Sequence, residues 1–187
     1  MSDSFSFLFS FYGLLLGLAI AELASGFSRA WDERKRHHIG LIAPLFAVVL
    51  LLDLTTFWVN AWEYRDLQEV SFEMALGAAT VALLYYFAST LVFPKQGDHD
   101  SLDAHILQHR RMIVCCVIAS NLIHVIPEGV TAVMAGETLA TMALWLGMNG
   151  FYYGLLTLAA LAPSRKVVIG TLVIIIAFII GATVVFT

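Results

Sequence analysis

Hydrophobic residues fall into long continuous runs along the chain, separated by short polar stretches. A helix that spans a membrane needs about 20 mostly apolar residues. The runs do not alternate with polar residues, which favours helices over the strands of a membrane barrel. Six runs meet this criterion and predict six transmembrane helices, roughly 5–27, 40–61, 72–93, 111–134, 138–162 and 166–186.

The composition points to the same fold class. Hydrophobic residues make up 60% of the 187 residues and charged residues 13%, whereas a soluble domain averages about 45–50% and about 25%. We therefore expect an all-α, polytopic membrane protein with a single six-helix transmembrane domain over residues 1–187. Its loops on one side of the membrane would cover about 28–39, 94–110 and 163–166.

The basic residues predict the orientation of the helices, because Lys and Arg concentrate in cytoplasmic loops. Nine of the ten lie in the loops before helices 2, 4 and 6, and only Arg65 lies on the other side. We expect these three loops to be cytoplasmic and both termini to lie outside, in a multi-pass protein of the cell (plasma or inner) membrane. Because topology accounts for the basic residues, nucleic-acid binding is not expected. The nine residues are Arg29, Arg34, Lys35, Arg36, Lys95, Arg110, Arg111, Arg165 and Lys166.

Four predicted helices carry polar residues at similar depths. With a helical rise of about 1.5 Å per residue, His124 and Asn149 lie roughly 20 Å from the cytoplasmic ends of their helices. Asp53 lies roughly 22 Å, and Tyr12 roughly 25 Å, from those ends. Polar groups in lipid are costly unless they find partners. We therefore predict that these side chains meet in a layer just outside the membrane midplane.

Helices 2, 4 and 5 extend this layer as polar stripes, each on one helical face. Their spacings of three and four residues place the members of a stripe one above another. We predict that the stripes line a polar path to the outer side, where acidic loops attract cations. The stripes are Asp53, Thr56 and Asn60; Asn121, His124, Glu128 and Thr131; and Thr141, Trp145, Asn149 and Tyr152.

The layer offers specific proton chemistry. Asp53 and His124 at one depth can hold or pass a proton, because histidine titrates near neutral pH. Glu128, one turn further out, is placed to continue such a relay. Glu22 lies nearer the cytoplasmic end of helix 1, where it would either extend the path inward or reach the interface.

A second cluster of polar residues precedes helix 4. Either Asp100 or Ser101 is a candidate N-cap of a helix that continues into helix 4. His105 and His109 would then share a face at the i, i+4 spacing of two-histidine metal sites. Together with His99 they are a candidate site for a divalent metal. The alternative is a solvated amphipathic turn whose histidines bind nothing.

Three functions are compatible with these patterns. The first is a small permease or channel for a cation, coupled to protons and working as a homo-oligomer within the lipid bilayer. The second is a membrane redox or cofactor-binding protein, in which His124 and a methionine would ligate a haem. The third is a non-catalytic scaffold or sensor subunit, whose polar layer serves helix packing alone. No nucleophilic arrangement of Ser or Cys with His shares one depth, so an enzyme is the less expected class.

Overall fold

The computed structural model describes residues 3–32, 34, 40–66, 71–94 and 101–186. Within these residues the regular structure is helical, and six α-helices are long and apolar enough to cross a membrane. The prediction of six helices of spanning length is confirmed. They are α1 (Asp3–Asp32), α2 (Ile42–Ala61), α3 (Phe72–Val92), α4 (Leu102–Met134), α5 (Leu139–Leu161) and α6 (Arg165–Phe186), and a short 3-10 helix (Trp62–Asp66) follows α2.

Three helices extend into the loops that the sequence predicted at 28–39, 94–110 and 163–166. The largest difference is in α4, which begins nine residues before its apolar run. The hydroxyl of Ser101 caps it by accepting the N–H of Ala104 at 3.2 Å. Asp103 in the first turn adds a favourable charge at the positive end of the helix. Capping, rather than hydrophobicity, therefore decides where this helix begins, and Asp100 lies outside the described residues.

Helix α2 lies at the centre of the bundle. It packs against α1, α3, α4 and α6, while α5 lies between α4 and α6. Its buried side chains share one broad face of the helix, and the single carboxylate of α2 is enclosed among them. Leu51 and Val59 on the opposite face are exposed. The buried side chains are Ile42, Ala43, Phe46, Val49, Leu50, Asp53, Leu54 and Phe57.

Hydrogen bonds between helix ends fix the directions of α2, α3 and α4. Oδ1 of Asp103 accepts the N–H of Ile42 at 2.9 Å, so α2 and α4 begin at the same end of the bundle. Gly40 has a φ of 54°, and a Cβ there would overlap the side chain of Asp103. Nε2 of His105 lies 3.1 Å from the carbonyl oxygen of Leu91, in the last turn of α3. The end where α2, α4 and α6 begin is termed the basic end, and the opposite end the terminal end.

Candidate functional site

The carboxylate of Asp53 is the centre of a polar cluster inside the bundle. Only 5% of the residue is exposed. Its Oδ2 accepts hydrogen bonds from the hydroxyl of Tyr85 on α3 at 3.0 Å and from the hydroxyl of Tyr152 on α5 at 2.6 Å. Within the described part of the chain, no lysine, arginine or histidine forms an ion pair with it. Asp53 is therefore held by neutral donors, and its charge has no cationic partner among the described residues.

Asn121 joins α4 to this cluster. Its amide nitrogen donates to the hydroxyl of Tyr85 at 3.2 Å and to the carbonyl oxygen of Val117 at 3.0 Å. The hydroxyl of Tyr85 thus accepts from Asn121 and donates to Asp53. Four helices contribute to one chain of hydrogen bonds, which is stronger in the low dielectric of a bundle than in water.

The directions of the helices explain how these side chains meet. A helical side chain leans toward the N-terminus of its own helix. Asp53 therefore leans toward the basic end, where α2 begins, whereas Tyr85 and Tyr152 lean toward the terminal end. The two phenols consequently reach the carboxylate from the basic side. Phe57, one turn along α2 from Asp53, supports the ring of Tyr85 edge-to-face with centroids 5.4 Å apart.

A cleft of about 200 Å³ extends from Asp53 toward the terminal end, between α2, α4, α5 and α6. This volume has room for roughly six water molecules of about 30 Å³ each. Polar side chains from α2, α4 and α5 form one side of the cleft, and mostly apolar side chains of α6 form the other. The lining residues are Asp53, Thr56, Asn121, Met148, Asn149, Tyr152, Phe178, Ile179, Ala182 and Thr183.

The structure brings five residues of the three stripes into this lining, namely Asp53, Thr56, Asn121, Asn149 and Tyr152. It also adds Tyr85 to the hydrogen-bonded cluster, and sequence reasoning missed this residue. No other polar residue of α3 marked a face at this depth, and Tyr85 stands next to the exposed Tyr86 within an apolar run. The sequence held one further indication, the length of the Tyr85 side chain. A tyrosine places its hydroxyl at a different membrane depth from its own backbone.

His124 does not bond to Asp53 in this structure. Its imidazole packs edge-to-face against Phe57, with ring centroids 5.8 Å apart. It forms no hydrogen bond with a described residue and does not line the cleft. The predicted direct proton exchange between Asp53 and His124 is therefore not supported by a contact. The haem interpretation meets the same difficulty, because this imidazole faces an aromatic ring instead of the cleft.

Four further candidate residues lie outside the cluster. Asn60 is half-buried and Glu128 exposed, and neither lines the cleft. Tyr12 is buried on α1, which packs against α2 and α3 but not against α4, α5 or α6 in the described part of the chain. Glu22 pairs with Arg29 on the same helix at 3.6 Å. The site is therefore smaller than the predicted layer.

The candidate metal histidines have other partners in this structure. His105 directs Nε2 at the carbonyl oxygen of Leu91, and Nδ1 of His109 lies 3.0 Å from the carbonyl oxygen of His105. A carbonyl only accepts, so these two nitrogens carry protons, and only the other nitrogen of each ring is left to ligate a metal. His99 lies outside the described residues. Among those described, no group of three or more His, Cys, Asp or Glu side chains is arranged to hold a metal ion.

A comparison of the chain with protein families, curated proteins and solved structures found no match.

Proposed function

We propose that this protein is a multi-pass membrane carrier that binds a proton or a small cation at Asp53 and moves it across the bilayer. Under the positive-inside rule, the basic end lies in the cytoplasm. The cleft would then open to the outside, and the cation would enter from there. The acidic residues of the outer connections would raise the local cation concentration at its mouth.

The observation that carries this proposal is the buried carboxylate of Asp53 at the closed end of the cleft. An ionised carboxylate in a low-dielectric interior costs several kcal/mol unless it is neutralised. The hydroxyls of Tyr85 and Tyr152 stabilise its oxygen but leave its net charge in place. A proton or a cation that enters through the cleft would supply the missing positive charge. Ionisable groups that line cavities within a membrane characteristically mark such pathways.

The basic half of the bundle supports a carrier over an open channel. Leu50 and Phe46 lie one and two turns from Asp53 toward the basic end, and they are 0% and 2% exposed. Ile113 on α4 and Leu172 on α6 are also fully buried, at 0% exposure. These apolar side chains fill the interior on that side. A cation bound at Asp53 would therefore leave toward the cytoplasm only after the helices rearrange.

Reconstitution into liposomes tests the proposal. Purified protein is inserted into vesicles that contain a pH-sensitive dye, and a potassium diffusion potential drives cations inward. We expect proton influx above that of protein-free vesicles, and its loss in Asp53→Asn, which keeps the shape of the side chain and removes its charge. The matched control is Asp32→Asn, which neutralises an exposed carboxylate in the last turn of α1, at the basic end.

Two results would overturn the proposal. The first is the absence of flux above background for protons, sodium and potassium in vesicles shown to contain folded protein. The second is a flux that survives Asp53→Asn. Either result would favour the packing role of a scaffold subunit for the same cluster.

A further inference from the structure

The polar atoms that line the cleft present mainly hydrogen-bond acceptors. The hydroxyl of Thr56 donates to the carbonyl oxygen of Leu52 at 3.0 Å. The amide nitrogen of Asn149 donates to the carbonyl oxygen of Trp145, also at 3.0 Å. Because a carbonyl only accepts, each side chain has turned a donor toward its own helix. Their oxygens are left to accept from whatever enters the cleft.

Asn121 and Asp53 continue this pattern at the closed end. Both amide hydrogens of Asn121 are used, one toward Val117 and one toward the hydroxyl of Tyr85. Its amide oxygen therefore remains as an acceptor. An ionised carboxylate has no hydrogen to donate. A ligand that satisfies this surface must bring several N–H or O–H donors and a positive charge.

The opposite side of the cleft is suited to contact with an apolar part of a ligand. Phe178, Ile179 and Ala182 of α6 line it. The ring of Phe178 stacks on that of Tyr152, with centroids 6.2 Å apart and an interplanar angle of 18°. A bare metal cation prefers oxygen ligands on all sides, and an apolar wall cannot supply them. The two sides of the cleft together fit a ligand with a charged polar head and a short apolar body.

We propose that the cation recognised in this cleft is a small primary alkylammonium compound. Its three N–H donors match the acceptors of Asp53, Thr56 and Asn121, and its alkyl chain lies against Phe178. The cleft of about 200 Å³ has room for a compound of about five or six non-hydrogen atoms, such as n-butylammonium. This inference rests on the proposed function, since it specifies the cation that the site binds.

Binding is measured by isothermal titration calorimetry on the full-length protein in detergent at neutral pH. We measure binding rather than uptake into vesicles, because the neutral form of an amine crosses a lipid bilayer without a carrier. The probes are n-butylammonium, tetramethylammonium, which has the same charge and no N–H donor, and sodium. Since hydrogen bonds between charged groups are stronger than neutral ones, we expect n-butylammonium to bind at least about tenfold more tightly than either other ion. Asp53→Asn should weaken n-butylammonium binding by a similar factor of about ten or more.

A variant that fills the cleft tests where the alkyl chain lies. Ala182→Leu adds carbon to the apolar side without touching the hydrogen bonds of Asp53. It should reduce n-butylammonium binding about tenfold, because the added side chain takes the space of the alkyl chain. The matched control is Ala177→Leu on the exposed face of the same helix, which should leave this binding unchanged.

The outcomes distinguish this inference from the proposed function. Proton flux that depends on Asp53, without preferential binding of n-butylammonium, overturns the ammonium assignment and leaves the carrier proposal standing. If tetramethylammonium binds more tightly than n-butylammonium, the inference that the cleft recognises N–H donors is overturned. The absence of both binding and flux overturns the two proposals together.

Discussion

The hydroxyl of Tyr152 lies 2.6 Å from Oδ2 of Asp53, although the two residues are 99 positions apart in the chain. Their helices, α5 and α2, are not among the pairs whose backbones pack closely in the described part of the bundle. The hydrogen bond therefore crosses the closed end of the cleft and links two helices that otherwise meet through their neighbours. The corresponding bond from Tyr85 is longer, at 3.0 Å.

Removing the Tyr152 hydroxyl is expected to destabilise the bundle. Tyr152→Phe keeps the ring and deletes a donor to a buried charge, which is worth about 1.5–3 kcal/mol. The free energy of unfolding should fall by about that amount when folded protein in mild detergent is titrated with a denaturing detergent. Tyr86→Phe is the control, because Tyr86 is 38% exposed and should tolerate the change. Equal losses in the two variants would contradict the importance of the Asp53 bond.

Asp53→Asn is expected to separate stability from function. Asparagine keeps an oxygen that accepts from Tyr85 and Tyr152, and it removes the uncompensated charge. An unpaired buried charge carries a desolvation cost that a neutral amide avoids. The unfolding midpoint should therefore stay equal or rise while proton flux is lost. A marked loss of stability would show that the charge itself holds the bundle together.

Asp103→Ala is expected to loosen the basic end. The carboxylate of Asp103 accepts the N–H of Ile42, the first residue of α2. Leu41, the N-cap residue of α2, provides no side-chain hydrogen bond. Loss of a helix cap typically costs about 0.5–2 kcal/mol. Hydrogen exchange of the first turn of α2, followed by mass spectrometry, should accelerate. Asp103→Asn retains an oxygen that accepts a hydrogen bond, so the amides in the first turn of α2 should exchange nearly as slowly as in the wild type. Rapid exchange in Asp103→Asn would contradict the capping of α2 by this side chain.

The sequence predicted the helices better than it predicted their ends. Apolar runs report only the part of a helix that suits lipid, and they marked all six segments. The first turns of α4 are polar and are fixed by Ser101, Asp103 and His105 through local and long-range hydrogen bonds. Partners such as Ile42 and Leu91 become neighbours only after folding. Hydrophobicity therefore could not locate these ends.

Depth along each helix identified part of the site and misplaced the rest. It grouped Asp53 with Asn149, and both residues line the cleft. It also grouped Asp53 with His124, which the ring of Phe57 engages instead. Depth says nothing about the direction in which a side chain points around the helix axis. Tyr85 was missed for a related reason, since its hydroxyl lies well away from its own backbone.

His105 is expected to stabilise the end of α3 without a metal. Its imidazole satisfies the carbonyl of Leu91, which would otherwise lack a partner within its helix. His105→Ala should lower the free energy of unfolding by about 0.5–1.5 kcal/mol. Added zinc should not raise the unfolding midpoint of the wild type, and a chelator should not lower it. A zinc-dependent rise that disappears in His105→Ala would restore the metal interpretation.

Two glycines of α1 provide a matched test of how that helix packs. A Cβ at Gly13 would overlap the ring of Trp58 on α2, whereas one at Gly17 would have no neighbour within 4 Å. Gly13→Ala should therefore destabilise the bundle by about 1–3 kcal/mol through overpacking. Gly17→Ala should be neutral or stabilise it by up to about 1 kcal/mol, because alanine is the better helix former. Denaturing-detergent titration measures both; a larger loss from Gly17→Ala would mean that α1 presents a different face to α2.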